Sequence, residues 1–365
     1  MSAKVDVAVI GGGPAGLATA IGAATRGLSV SVFDKQAWPI DKACGEGLMP
    51  SGLSALERLG ALKHLDLAES APFESITYVQ EDGTRAVGAL PPPGGLGVRR
   101  LALSSALRAR AAEVGVKLRE TTGVRGHRHV EGGVELELDS ERVVAKVLVG
   151  ADGLNSLTRQ REGLSGPVAD SRRFGLRRHV RVAPWAKTVE VHFSAGVEAY
   201  VTPAGRKRVG IAFLWEAAAA PEDVSFEALL SRFAPLKERV GAAEFDSSAR
   251  GAGPLLQHVK RRAANRVALI GDAAGYVDAI TGEGLTQALE GAEALAAALP
   301  EVISRDGAVE AFSAWETTME KSFTRYARLA NSVLFLARRP ALRRAAVVAL
   351  SKSPALFGQV LAWAL

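Results

Sequence analysis

The chain has 365 residues, 48% of them hydrophobic, and carries 45 Lys and Arg against 39 Asp and Glu, a net charge of +6. That is enough apolar material for more than one core-sized unit, and the basic excess, clustered at 172–178 and 260–262, comes with no nucleic-acid-binding motif, so no nucleic-acid partner is expected. The lone cysteine, Cys44, excludes an internal disulfide, and neither a secretory signal nor a run of 18 apolar residues is present, so a cytoplasmic location is expected.

Residues 5–10 are a short apolar run that fits a buried parallel strand. Gly11-Gly12-Gly13-Pro14-Ala15-Gly16 follows, then a small-residue helix over 17–26 capped by Gly27, a second strand over 28–33, and Asp34 at its end. Further on come helical spacing over 53–62, a hairpin of 76–79 with 84–87, a Pro-Gly loop at 91–95, an amphipathic helix over 100–114 and a strand over 116–119. Strands at 134–138 and 143–149 form a pair that ends at Gly150-Ala151-Asp152-Gly153. After Arg173 the texture changes to short alternating strands at 176–182, 188–193, 198–202 and 208–213, the pattern of antiparallel sheet. A helix over 226–239, a buried-type strand at 267–270, a long Ala/Leu helix at 285–299 and an entirely helical tail from 302 complete the chain.

Parallel-type segments thus flank an antiparallel insert. The expected fold is α/β with an α+β insert: a Rossmann-like dinucleotide-binding domain from residues 1–74, 99–174 and 256–300, an inserted antiparallel-sheet substrate domain from 75–98 and 175–255, and a helical C-terminal region over 301–365.

Gly11, Gly13 and Gly16 match G-x-G-x-x-G between a strand and a helix. The first glycine makes the turn, the second lets backbone approach a pyrophosphate, and the third lets helix and sheet pack closely. The helix start at Pro14 and Ala15 offers free N–H groups and a partial positive charge to the phosphates. Asp34, with Lys35 beside it, is placed to accept hydrogen bonds from a ribose hydroxyl. Two more constellations follow: Gly150-Ala151-Asp152-Gly153 with Ser156 and Arg159, and Gly271-Asp272 with Gly282-Glu283-Gly284-Leu285 ten residues after Asp272.

Together these three motifs resemble the FAD-dependent monooxygenase and geranylgeranyl reductase superfamily, with its p-hydroxybenzoate-hydroxylase-like fold, over residues 4 to 300. The resemblance implies FAD as cofactor. It implies that Gly271 and Asp272 meet the ribityl chain, that the N–H groups of Gly282, Gly284 and Leu285 face the flavin pyrimidine carbonyl, and that Asp152 holds the dinucleotide region through its backbone and a neighbouring Arg. It implies further that Arg100 contacts the cofactor and that Val124 lies near adenine. The stretch from Pro39 to Gly47 looks like the P-x-x-K-x-C-G segment of geranylgeranyl reductases, which puts Ala43 and Cys44 beside the flavin and makes Cys44 the candidate catalytic thiol. The plain alternative is that Cys44 is a small buried hydrophobe.

The sequence departs from each subfamily: the proline of the aromatic hydroxylases before the last glycine motif, the aromatic-rich motif of the prenyl reductases and the tryptophan-rich motif of the halogenases are all missing. No second G-x-G-x-x-G is present, so NAD(P)H is expected only as a transient electron donor. His127 and His129 are taken as surface residues, and no metal is expected. Three readings remain: a monooxygenase hydroxylating an aromatic or lipophilic small molecule through a flavin hydroperoxide, a reductase saturating prenyl double bonds, and a maturation or electron-transfer flavoprotein acting on a protein. The apolar tail with Arg338, Arg339, Arg343, Arg344 and Lys352 either packs over the substrate domain or makes a basic amphipathic contact with a membrane surface. The sequence leaves the oligomeric state open.

Overall fold

A computed structural model describes residues 3–139, 141–168 and 172–364. Its first layer is a sheet in the order Ala263–Ala264, Val267–Leu269, Arg142–Gly150, Ala3–Ile10, Val30–Phe33, Lys117–Arg119. From Val267–Leu269 to Lys117–Arg119 every neighbour pairs in parallel. Ala3–Ile10 sits in the middle, covered on both faces, which is why Val7, Ala8 and Val9, all fully buried, follow one another without alternation. Helices Pro14–Ala24, Arg100–Glu113 and Gly284–Ser304 bring Leu17, Ile21, Leu103, Leu107, Leu289 and Leu295 into one core. A Cβ on Gly22 would lie 2.6 Å from Ala296 Cβ, so that glycine sets how closely the first and last of these helices approach.

The second sheet runs Arg250–Ala252, Arg173–Val180, Val209–Glu216, Val197–Pro203, Thr188–Ser194, Ser75–Val79, Arg85–Ala89. It is antiparallel as expected, with one exception: Thr188–Ser194 and Ser75–Val79 are parallel. These two strands come from segments more than a hundred residues apart, so no hairpin dictates their relative direction. Segment 75–98 divides between two sheets. Its hairpin joins the second sheet, while Gly95–Val98 pairs with Gly47–Leu48 and Ser70–Phe73 in a small third sheet. That third sheet leans on the second at one close contact, where a Cβ on Gly97 would stand 1.7 Å from Pro203 O.

Two local expectations are corrected, and one strand joins those expected. Gly126–Val130 is a strand, paired antiparallel with Gly133–Glu137. The helix expected over 226–239 is two helices, Phe226–Ser231 and Ala234–Val240, because Pro235 lacks an amide donor for the carbonyl four residues back and its ring clashes with it, whereas it fits the first turn of a new helix. His127 is not a surface residue: its side chain is 3% exposed and its Nε2 lies 2.7 Å from Glu162 Oε1, which His129 also reaches at 3.2 Å.

The tail consists of a long helix, Ser313–Ala337, followed by Pro340–Lys352 and Pro354–Ala364, which are bent by 110° from each other. Pro354–Ala364 lies on the hairpin strand Arg85–Ala89, with Phe357 and Leu361 against Gly88 and with Gly358 against Ala89 O. Arg343, buried, fastens Pro340–Lys352 to the hairpin turn through Gln80 Oε1 at 3.1 Å and Glu81 Oε1 at 2.5 Å. Among the described residues no single helix is long and apolar enough to cross a membrane.

Candidate functional site

At the carboxyl end of the central strand, Gly11 has φ +108° and a Cβ there would stand 2.3 Å from Ala151 O; one on Gly16 would stand 1.9 Å from Gly11 O. Both positions exclude every side chain, the first also by its backbone conformation. Gly13 differs. The atom nearest a Cβ there is Arg100 Nη2, at 3.6 Å, and the residue lines a cavity of about 430 Å³ between the two large sheets. The helix that starts at Pro14 has no side-chain cap and no acid in its first turn, so its N–H groups remain available to an anion.

Pro14, Ala15, Ala43, Cys44, Arg100, Gly271, Asp272, Gly282, Gly284 and Leu285 all line that same cavity, although the chain scatters them over more than 270 residues. Arg100 is 7% exposed and its Nε has no hydrogen-bond partner among the described residues. Burial raises the Asp272 carboxyl above the ordinary range, with Lys42 and Arg100 opposing, and no hydrogen bond to that carboxylate is formed by the described residues. Gly282 adopts φ +71°, and the helix Gly284–Ser304 also starts without a side-chain cap or an acid in its first turn. An unpartnered guanidinium, an unpartnered carboxylate and two uncapped helix starts facing one cavity are the complement of a dinucleotide with a diphosphate, ribityl hydroxyls and an electron-rich ring carbonyl. The residues present therefore fit FAD.

Gly11, Gly16, Asp34, Lys35, Val124 and Asp152 do not reach the cavity wall. Asp34 lies behind the glycine turn: its Oδ2 accepts from Gly12 N at 2.7 Å and its Oδ1 from Gln36 N at 2.8 Å. Lys35 and Val124 stand around it, since Thr122 N donates to Asp34 O, Lys35 Cβ approaches Gly123, and Val124 packs in the cluster of Phe33. Asp152 accepts from Ser156 Oγ at 2.5 Å and from Thr158 N at 3.0 Å, so its carboxylate braces the start of Leu157–Arg161. The neighbouring arginine is Arg159, whose guanidinium binds Leu154 O, Gln257 Oε1 and Ala273 O and so ties the second motif to the third.

Cys44 Sγ accepts a hydrogen bond from Glu46 N at 3.3 Å. Burial pushes its thiol up, against a smaller opposing effect of Arg100, so the group presented to the cavity at neutral pH is S–H and not a thiolate. That argues against a nucleophilic role and is compatible with a packing or proton-holding one.

Several site residues escaped the sequence reasoning. Trp38 lies under the glycine turn, with Nε1 donating to Gly12 O at 3.0 Å. Lys42 lines the cavity beside Gly153 and Asp272. Asp278 accepts from Arg173 Nε at 2.8 Å, Arg173 also binds Glu198 at 2.8 Å, and Tyr326 Oη bonds the Asp278 backbone, so the loop before Gly282 is pinned from the second sheet and from the tail. Of these, only the P-x-x-K-x-C-G segment offered a sequence signal, for Lys42.

The parallel sheet, the glycine turn and the polar inner wall define a dinucleotide-binding flavoprotein. Over residues 4–326 the sequence matches the FAD binding domain family, and the chain belongs to it; it is an FAD-dependent oxidoreductase of the monooxygenase and reductase superfamily. The chain is 29% identical to a menaquinone reductase of Mycolicibacterium smegmatis over 369 residues, 93% of this chain and 86% of that one. It is 26% identical to a digeranylgeranylglycerophospholipid reductase of Methanosarcina acetivorans over 338 residues, 87% of this chain and 78% of that one. Among solved structures, a mutant of the halogenase PltM in complex with FAD superposes with a TM-score of 0.82 at 18% identity, over 93% of this chain and 78% of that one, a likeness of fold.

Proposed function

We propose that this oxidoreductase reduces a carbon–carbon double bond in the isoprenoid chain of a prenylated lipid. The observation that carries this reading is the shape and chemistry of the outer cavity. Beyond Cys44 and Gly282 the wall turns apolar, through Val189, Val191, Leu214 and Ile280, and then passes under the tail at Val333 and Leu361. Ser332 and Val360 are on the cavity wall and are exposed as well, so the cavity opens between Ser313–Ala337 and Pro354–Ala364. A passage of that kind suits a long, narrow apolar chain such as an isoprenoid, whose remainder stays outside. The named activities of the two reductases above, both on prenyl-bearing lipids, support the same choice.

Bound FAD would supply the two-electron chemistry, with NAD(P)H as its transient donor. The chain does the rest. Arg100 and the helix start at Pro14 would hold the diphosphate, Asp272 the ribityl hydroxyls, and the Gly282–Leu285 backbone the ring carbonyl, all of them on the cavity wall. The apolar wall excludes water from the double bond. Tyr200 Oη donates to Ile280 O at 2.8 Å, which fixes the wall against the cofactor loop, and Cys44 keeps a protonated thiol at the inner end.

The tail supports a second part of the proposal, that the mouth rests on a membrane surface. Phe335, Leu342, Leu356, Val360 and Trp363 are exposed around it, Trp363 at 77%. From residue 321 to the end the sequence has eight Lys and Arg and no Asp or Glu, which favours anionic lipid.

Hydroxylation of a lipophilic small molecule is the alternative. Product mass separates the two: incubation with a prenylated quinone or glycerolipid, NAD(P)H and air gains two hydrogens under our reading. A gain of one oxygen atom would refute it.

A further inference from the structure

Glu46 is a buried glutamate, 1% exposed, held at φ +60°, a conformation that favours glycine. Its carboxylate joins three separate parts of the molecule. Oε1 accepts from the backbone N of Arg100 at 2.9 Å, at the start of the helix whose arginine side chain faces the cofactor cavity. Oε2 accepts from His179 Nε2 at 2.5 Å, on strand Arg173–Val180 of the second sheet. Arg177 Nη2, from the same strand, stands 3.5 Å from Oε1 and also binds Asp41 and the carbonyl of Lys42. Glu46's own backbone N–H goes to Cys44 Sγ.

The proton arrangement follows from the partners. Arg177 Nη1 lies 3.2 Å from His179 Nδ1, and a guanidinium can only donate, so Nδ1 accepts and Nε2 carries the hydrogen that Glu46 receives. Ser247 Oγ, 2.9 Å from Nδ1 and accepting from His179 N, holds the ring from the far side. Gly210 leaves room for the carboxylate: a Cβ there would come within 3.2 Å of Oε2. A glutamate kept in a strained backbone conformation with all its hydrogen bonds made implies that the carboxylate, and not the turn, is what the position requires.

We propose that Glu46 is a positioning residue: through His179 and Arg177 the second sheet fixes Glu46, and Glu46 fixes where Cys44 and Arg100 present their side chains to the flavin site. The inference rests on the cofactor assignment for Arg100 alone; the part concerning Cys44 stands apart from it.

Because Cys44 is the chain's one cysteine, a thiol reagent reports a single site. The test compares iodoacetamide alkylation of the FAD-free protein, and FAD affinity after reconstitution, in wild type, Glu46→Gly, Glu46→Gln and His179→Gln. Glu46→Gly relieves the backbone conformation and removes the carboxylate. It is expected to speed alkylation at least tenfold, as the freed thiol meets water, and to weaken FAD binding at least tenfold. His179→Gln, which alters a residue off the cavity wall, is expected to shift both readouts in the same direction, and Glu46→Gln, which keeps the acceptor for Arg100 N, to shift both less than Glu46→Gly. A purely structural role would lower the melting temperature while alkylation and FAD affinity of the folded protein stay within twofold of wild type. That result in His179→Gln, or in Glu46→Gly where it folds, overturns the proposal. Wild-type protein that takes up no FAD would instead refute the cofactor reading and leave the alkylation comparison to decide on Glu46.

Discussion

Replacing Arg100 by methionine should move two quantities in opposite senses. In the cofactor-free protein the guanidinium is 7% exposed with an unpartnered Nε, and a buried unpartnered polar group costs about 1–3 kcal/mol. Methionine has similar length and no such group, and the hydrogen bond from Arg100 N to Glu46 is made by backbone, so it survives the substitution. The FAD-free variant should therefore be as stable as wild type or more stable, by about 1 kcal/mol. With FAD present the balance reverses. A hydrogen bond to a charged partner contributes about 1.5–3 kcal/mol, which at about 1.4 kcal/mol per decade is roughly a 10- to 150-fold loss of affinity. Thermal unfolding of the FAD-free protein and fluorescence titration with FAD measure the two arms. If FAD affinity is unchanged while the FAD-free variant loses more than about 2 kcal/mol, Arg100 is a packing residue and the argument from its unpartnered nitrogen is wrong.

Burial raises the Glu283 carboxyl to about 7 in the FAD-free protein, with Arg325 opposing, against an ordinary value of 4.5. The native state then keeps a proton that the unfolded chain has released, so this contribution is fully present below about pH 4.5 and is lost as pH rises to about 7, a fall of up to about 3 kcal/mol. Glu283→Gln should flatten that part of the urea-derived stability profile; an unchanged slope assigns it elsewhere. Val191→Trp places an indole across the apolar wall, and turnover of a long prenyl substrate should fall at least tenfold while FAD affinity stays within threefold. Undiminished turnover would mean that the substrate takes another path. Arg339 and Lys352 are exposed on the tail, and at about 1 kcal/mol per basic residue near an anionic surface their joint replacement by serine should weaken binding to phosphatidylserine vesicles roughly thirtyfold in a sedimentation assay. Equal binding by the variant would remove the tail from membrane contact.

The glycine turn, Asp272 and the Gly282–Leu285 loop could be read from sequence because their requirements are local. Gly16 is forced by Gly11 O within one strand–turn–helix unit, Gly11 by its own positive φ, and a helix start announces itself in a few residues. Glu46 could not be read as it stands, since its partner His179 is 133 residues away on another sheet and neither residue type signals the other. His127 is legible only as half of a surface pair with His129 for the same reason, since nothing near it in the chain says that Glu162 covers it. The parallel pairing inside the second sheet and the bracing of Asp278 by Arg173, 105 residues apart, are likewise set by topology and not by pattern. The role of the cavity was readable only down to FAD. Its apolar extension under the tail depends on side chains such as Val191, Val333 and Leu361, which look like ordinary core residues in the chain.

The central claim, electron transfer from FAD to a prenyl double bond, is tested most directly without oxygen. The FAD-loaded protein is reduced in full, freed of reductant, and mixed anaerobically with a prenylated quinone already in its hydroquinone form, so that the side chain is the only available acceptor. The account predicts that flavin absorbance near its oxidised maximum returns with one equivalent of the lipid and that the lipid gains two hydrogens in its side chain. Absorbance that stays bleached until air is admitted, with oxygen then appearing in the product, would contradict it.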